Sequence, residues 1–125
     1  MKHTLEEYNA AIFAITSSLR KSEKAILKLK EGTFQYRLLT QGIQSYHIAL
    51  NLIDHEINQT KLNLYSLNDL LSAIEFYTTT IQRVLKVMPK FKEGTSQHTL
   101  GIRRIKAFEL AIVLLQKETN HVNHC

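Results

Sequence analysis

The stretch KLKEGTFQ at 28–35 returns as KFKEGTSQ at 90–97, 62 residues later. Glycine adopts the left-handed conformation that ends a helix at little steric cost, and a threonine directly after it can cap the next helix with its hydroxyl. Gly32-Thr33 and Gly94-Thr95 therefore read as two structural hinges, each turning one helix back into another. Gln35 and Gln97 fall in the first turn of the returning helix, where an amide can serve free backbone N–H groups. Aligned without gaps, 28–56 and 90–118 share eleven of 29 residues, among them Leu38/Leu100, Ile43/Ile105, Ala49/Ala111, Leu52/Leu114 and Glu56/Glu118. Tyr46/Phe108 and Ile48/Leu110 are swaps of like for like, and Leu5/Leu67, Ala11/Ala73 and Ile12/Ile74 carry the register upstream. The chain is a duplication of a unit of about 60 residues, and such repeats decide the fold.

Each unit predicts a helical hairpin. Leu5, Tyr8, Ile12, Ile15, Leu19, Ser22, Ile26 and Leu29 step by three and four without a break. Leu67, Leu70, Ile74, Tyr77, Ile81, Val84, Met88 and Phe91 repeat the same steps. That spacing lays one narrow stripe along a helix and favours left-handed bundle packing. Thr4 with Glu7, and Ser66 with Asp69, mark two N-termini in the manner of a capping box. Helices are expected near 5–30, 34–58, 67–91 and 96–120, with Pro89 kinking or ending the third about a turn early, where the first copy has Leu27. The predicted fold is all-α: an antiparallel up-down-up-down four-helix bundle made of two duplicated hairpins. The expected organisation is a single domain over 1–125 with repeat units of about 3–58 and 65–120.

Composition narrows the class. Of the residues, 44% are hydrophobic and 22% charged, with one proline and one cysteine. No intrachain disulfide can form, so a reducing, cytoplasmic setting is expected. The beginning, MKHTLEE, lacks the apolar centre of a secretory signal. The run Leu110–Leu115 is far shorter than the roughly 20 residues of a transmembrane helix, so no membrane span is expected.

The net charge of +5 conceals a polarity. In an up-down-up-down bundle both KEGT turns share one end, to which 20–44 and 82–106 belong. That half holds 13 cations against three carboxylates, a balance of +10; the other half holds three cations, Lys2 among them, against eight carboxylates, −5. Helix dipole compensation accounts for Lys28, Lys30, Lys90 and Lys92 in last turns, and for Glu6, Glu7 and Asp69 in first turns. It leaves Arg37, Arg103, Arg104 and Lys106 unexplained, since these open helices where cations are mildly unfavourable. The alternative is an anion site at the turn end, composed of Lys28, Lys30, Arg37, Lys90, Lys92, Arg103, Arg104 and Lys106, near two helix N-termini. Its partner could be a nucleic-acid backbone, an anionic membrane surface or an acidic protein. Against nucleic acid, the tip carries no regular aromatic interleaving and no groove-reading helix.

Around 48–53 and 110–115 the second and fourth helices are apolar nearly all round, which implies either the most buried pair of the bundle or a homodimer interface. The ending Glu118-Thr119-Asn120-His121-Val122-Asn123-His124-Cys125 holds an E-x-x-H pair, the di-iron bundle pattern. The equivalent place in the first copy reads Glu56-Ile57-Asn58-Gln59, without the histidine, so adventitious metal binding is the expectation and no cofactor is predicted. His47 and His55 read as surface or boundary residues. Tyr36, Tyr46, Tyr65 and Tyr77 read as core-edge packing. No phosphate loop, nucleophile elbow or H-E-x-x-H motif is present, and Cys125 has no positioned base, so the chain reads as a non-enzyme.

The order Ser22-Glu23-Lys24, Glu31-Gly32-Thr33, Gln35 resembles small all-helical bacterial proteins of uncharacterised function, a resemblance that implies no activity. The leading expectation is a small cytoplasmic protein-interaction or scaffold module, with a second copy of the chain, as a homodimer, among its expected partners. The alternatives are a binder of anionic macromolecules through the basic turn end, or a bundle like the bacteriocin immunity proteins, the last by analogy of fold alone.

Overall fold

The computed structural model of the protein describes residues 3–123. It contains four α-helices: α1 (Leu5–Ile26), α2 (Phe34–Asn58), α3 (Leu67–Val87) and α4 (Ser96–Asn123). A single 3-10 turn, Met88–Lys90, follows α3. The caps form where the sequence places them. Glu7 N–H donates to Thr4 Oγ1 (3.1 Å) and Thr4 N–H to Glu7 Oε1 (2.9 Å), a complete capping box. Asp69 N–H donates to Ser66 Oγ (3.1 Å), but the Asp69 carboxylate accepts from Gln44 Nε2 on α2 (3.3 Å) in place of the cap backbone.

The two hinges are nearly superposable in their bonding. Gly32 and Gly94 sit at φ 86° and 84°. Thr33 and Thr95 donate their hydroxyls to the carbonyls of Lys30 and Lys92 (2.8 and 2.7 Å), and accept from the N–H of Tyr36 and His98 (3.2 and 3.3 Å). The glycines do not close the preceding helices, however. α1 ends at Ile26 with Leu27 as its right-handed C-cap, so Gly32 belongs to a separate Lys30–Thr33 turn, closed by Thr33 N–H on Lys30 C=O. Positive φ at the third residue is what that kind of turn demands.

Pro89 ends α3 at Val87, about a turn before 91 as the sequence implies, yet the exit matches that of the first copy. Leu29 N–H bonds to Ile26 C=O (3.1 Å) just as Phe91 N–H bonds to Met88 C=O (3.0 Å), the same exit in both copies. The proline fits a geometry that the first copy reaches with Leu27, because short bonds of this type tighten the last turn of many helices. Both helices therefore stop about a turn short of 30 and 91, and α4 runs three residues past 120.

Neighbouring helices are antiparallel, with α1 on α2, α3 on α4, and α1 on α4, and the packing respects the duplication. α1 against α4 is the counterpart of α3 against α2. Gln41 and Gln44 on α2 bond to Ser72 and Asp69 on α3, which brings the start of α2 beside the end of α3 and both turns to one end. The core runs through Tyr8, Ile15, Ile53, Leu70, Tyr77, Phe108 and Leu115, all essentially inaccessible. α2 and α4 also meet across the diagonal. Ile48, Ala49, Leu52, Ile53, Leu110, Ala111, Leu114 and Leu115 are buried there, so the apolar excess of these helices lies in the core, with Val113 left facing out. Tyr46 and Tyr77 lie deeper than the core edge: their rings form a cluster with Phe76 and Phe108. Tyr77 is fully buried, its hydroxyl donating to Ser45 C=O at 2.8 Å.

The linker folds back on α2. Gln59 caps that helix at φ 54°, Tyr65 donates its hydroxyl to Asn51 Oδ1 (2.8 Å), and Thr60 donates its hydroxyl to Asp54 Oδ2 (2.8 Å). His55 Nδ1 lies 2.6 Å from Thr60 O, a half-buried anchor for this loop. No helix among the described residues is long and apolar enough to cross a membrane.

Candidate functional site

Packing is uneven along the rod. The buried residues lie between Tyr8 and Leu19, Gly42 and Ile53, Leu70 and Tyr77, and Gly101 and Leu115. Towards the turns, Ser22, Ile26, Leu39, Ile81, Val84 and Met88 are only half-buried, although they continue the same stripes. The reason is visible in the side chains. Where the stripe of α1 needs a large apolar group it has Ser22, and the small polar Ser18 and Thr80 stand beside the stripes of α1 and α3.

What results is a cleft between the hairpins made of two adjacent pockets, with Tyr46 in the lining of both. One, about 270 Å³, lies between α2 and α3 and is lined by Leu38, Gln41, Phe76, Thr80 and Arg83, with Glu75 at its rim. The other, about 190 Å³, lies between α1 and α4 and is lined by Ser18, Lys21, Val84, Arg104 and Phe108. Both share Ser22, Tyr46 and Thr80. They are counterparts by duplication: Arg83 in one pocket occupies the place of Lys21 in the other.

Tyr46, 6% exposed, has its hydroxyl pushed up from the ordinary tyrosine value by burial. Hydrogen bonds with the Ser18 and Ser22 hydroxyls and the positive charges of Arg104 and Arg83 oppose that rise. The phenol stays protonated near neutrality, and both arginines make their field felt at the floor. Thr80 is not part of this group, since its hydroxyl donates to Phe76 C=O at 2.7 Å.

The eight cations singled out from sequence do not form one cluster. Lys28 and Lys30 stand at the α1–α2 turn, Lys90 and Lys92 at the α3–α4 turn, and Arg37 is exposed on the first turns of α2. Arg103 and Lys106 line a groove between α1 and α4 with Glu6, Glu7 and Glu109, and Lys106 contributes to the lowering of the Glu7 carboxyl below its ordinary value. The main cause of that lowering is the hydrogen bonding with Thr4. Arg104 alone of the eight enters the cleft. Ser18, Ser22, Tyr46 and Arg83 were not singled out by sequence as site residues; the available signal was a serine at stripe position 22, where the second copy has Val84.

Among the described residues the ion pair is Lys117 Nζ with Glu56 Oε1 at 2.8 Å, near the other end, so the turn-end cations are engaged in none. Lys2, His124 and Cys125 lie outside the described residues. Within them, no three of His, Cys, Asp and Glu come together in a way that could hold a metal. Large apolar groups are exposed at the turn end as well: Leu27 (85%), Phe34 (64%), Leu38, Leu85 and Leu100. No family model, no curated protein and no solved structure matches this chain.

Proposed function

We propose that this protein is a non-catalytic binding module of the cytoplasm that docks an acidic protein segment on the turn end of its bundle. The observation that supports this reading is the coincidence, at one end, of cations without ion pairs and apolar side chains without cover. A nucleic-acid backbone satisfies cations but leaves leucines wet; an acidic amphipathic segment satisfies both. The cleft favours binding over acid–base work, because its floor consists of hydroxyls that do not titrate near neutrality. The single cysteine supports a reducing compartment.

The experiment is capture from lysate after nuclease treatment, comparing the wild type with a variant carrying Lys28→Glu, Lys30→Glu, Lys90→Glu and Lys92→Glu. Protein bands held by the wild type and lost by the variant support the reading. Loss of all bands on nuclease treatment replaces it with nucleic acid. A second reading, an anionic membrane surface, draws on Leu27 and Phe34, which protrude beside Lys28, Lys30 and Arg37. Cosedimentation with phosphatidylserine vesicles that is abolished by Leu27→Ser with Phe34→Ser favours it.

A further inference from the structure

We infer that the protein pairs with a second copy of itself, α1 against α1 and antiparallel, about a two-fold axis at Phe13. This surface is separate from the turn end and goes beyond the reading proposed for it.

Phe13 lies midway along α1, away from both turns and the linker, yet it is 73% exposed. The helix buries Tyr8, Ala11, Ala14, Ile15, Ser18 and Leu19, so position 13 points directly away from the core. A shallow groove of about 540 Å³ runs beside the ring, with Asn9, Ile12, Thr16 and Ser17 in its lining. Every residue lining it belongs to α1, so no other helix of the bundle covers this side.

Charge decides what covers it. Seven residues make almost two full turns, so Glu6 and Arg20 stand on the same outward line as Phe13, one on each side. Both are exposed, and among the described residues neither side chain makes an ion pair or a hydrogen bond. An antiparallel two-fold centred on Phe13 sets Glu6 on the partner's Arg20 and Arg20 on the partner's Glu6, with the two rings between them. Asn9 and Ser17 meet by the same rule, and their side chains bond to nothing among the described residues. One patch that complements itself under a two-fold is what an isologous interface requires. Parallel pairing would set like charges together.

The duplication supplies a control. On α3 the same three positions hold Asn68, Glu75 and Gln82, a line with neither an aromatic ring nor a pair of opposite charges. The rest of the molecule agrees with the antiparallel sense. Each basic half comes to lie beside the partner's acidic half, and the two turn ends stand free at opposite poles.

One helix per copy makes an interface at the small end of the known range, so the dimer should dissociate between about 10 µM and 1 mM. Sedimentation equilibrium of the full chain at low salt across those concentrations is the test. Phe13→Ser, Glu6→Arg and Arg20→Glu should each weaken the dimer at least about tenfold, with circular dichroism unchanged. Glu6→Arg and Arg20→Glu combined in one chain restore complementarity and should return the association close to the wild type. The two single charge variants, mixed in equal parts, should pair with each other, since one then carries two cations and the other two carboxylates. A monomer at every concentration overturns the proposal. A dimer indifferent to all three single changes also overturns it, by placing the contact on another face, as does a combined variant no stronger than the singles.

Discussion

Tyr46 and Phe108 occupy the same position in the two copies of the repeat, and their rings stack across the middle of the bundle, 6.2 Å between centroids with planes 29° apart. Residues equivalent by duplication thus touch, which places the approximate two-fold relation of the hairpins between these two rings. Below that point the copies agree in filling the core: Ala49 with Ala111, Ile53 with Leu115, Ile15 with Tyr77. Above it serines and a threonine leave the cleft. Tyr46 is both the top of the aromatic cluster and the floor of the candidate site.

Removing the Phe108 ring should be among the most damaging single changes. It is 1% exposed and touches both Tyr46 and Tyr77. Phe108→Ala is expected to cost about 3–5 kcal/mol in urea unfolding. Tyr77→Phe keeps the ring and loses only the bond to Ser45 C=O, at about 1 kcal/mol.

Two helical glycines should respond differently to alanine. At Gly42 an added Cβ falls 3.0 Å from Phe76 Cε1, and that ring is pinned by Tyr46 and Tyr77. Gly42→Ala should destabilise by about 1–3 kcal/mol, since a filled site resists extra volume. At Gly101 the added Cβ meets the Met88 sulfur, the movable part of a flexible side chain. The gain in helix propensity, about 1 kcal/mol, then offsets the displacement, and Gly101→Ala should unfold close to the wild type.

The hinge glycines test the turn geometry without crowding. Nothing lies within 4 Å of a Cβ added at Gly32 or Gly94, so any cost there comes from backbone strain alone. Gly32→Ala and Gly94→Ala are each expected to lower stability by about 1–2 kcal/mol, and asparagine at either place by less. Equal losses at the two sites, additive in the double variant, follow from their matching φ angles.

Acid should loosen the linker before the bundle. Hydrogen bonds from Asn58 and then Thr60 hold the Asp54 carboxyl below its ordinary value. A group lowered on folding contributes stability above its unfolded pKa and loses it as pH falls through the folded one. Amide exchange at 60–63 should therefore quicken below the ordinary aspartate range while α1 stays protected. Asp54→Asn should produce the same loosening at neutral pH.

Most of what is local was legible in the sequence. Caps at Thr4, Thr33 and Ser66, left-handed glycines at 32 and 94, and the number of helices follow from interactions spanning three or four residues, so nearby residue types suffice to specify them. The burial of 48–53 and 110–115 was readable only as a choice between core and dimer, because hydrophobicity records that a face is covered and not by what. The end of α1 was misread: Ile26 closes it about a turn before 30 because the Lys30–Thr33 turn needs chain length, a demand the stripe does not encode, whereas Pro89 announced the stop of α3 at Val87. The cleft needed the tertiary structure altogether. Ser18, Ser22, Tyr46, Arg83 and Arg104 come from four helices, and their convergence depends on how closely two hairpins approach near their turns. By itself the sequence determined the repeated hairpin, through short-range periodicity and capping. Only packing decided that the two copies meet ring against ring at Tyr46 and Phe108 and part above them, because side-chain volumes summed across four helices set that spacing.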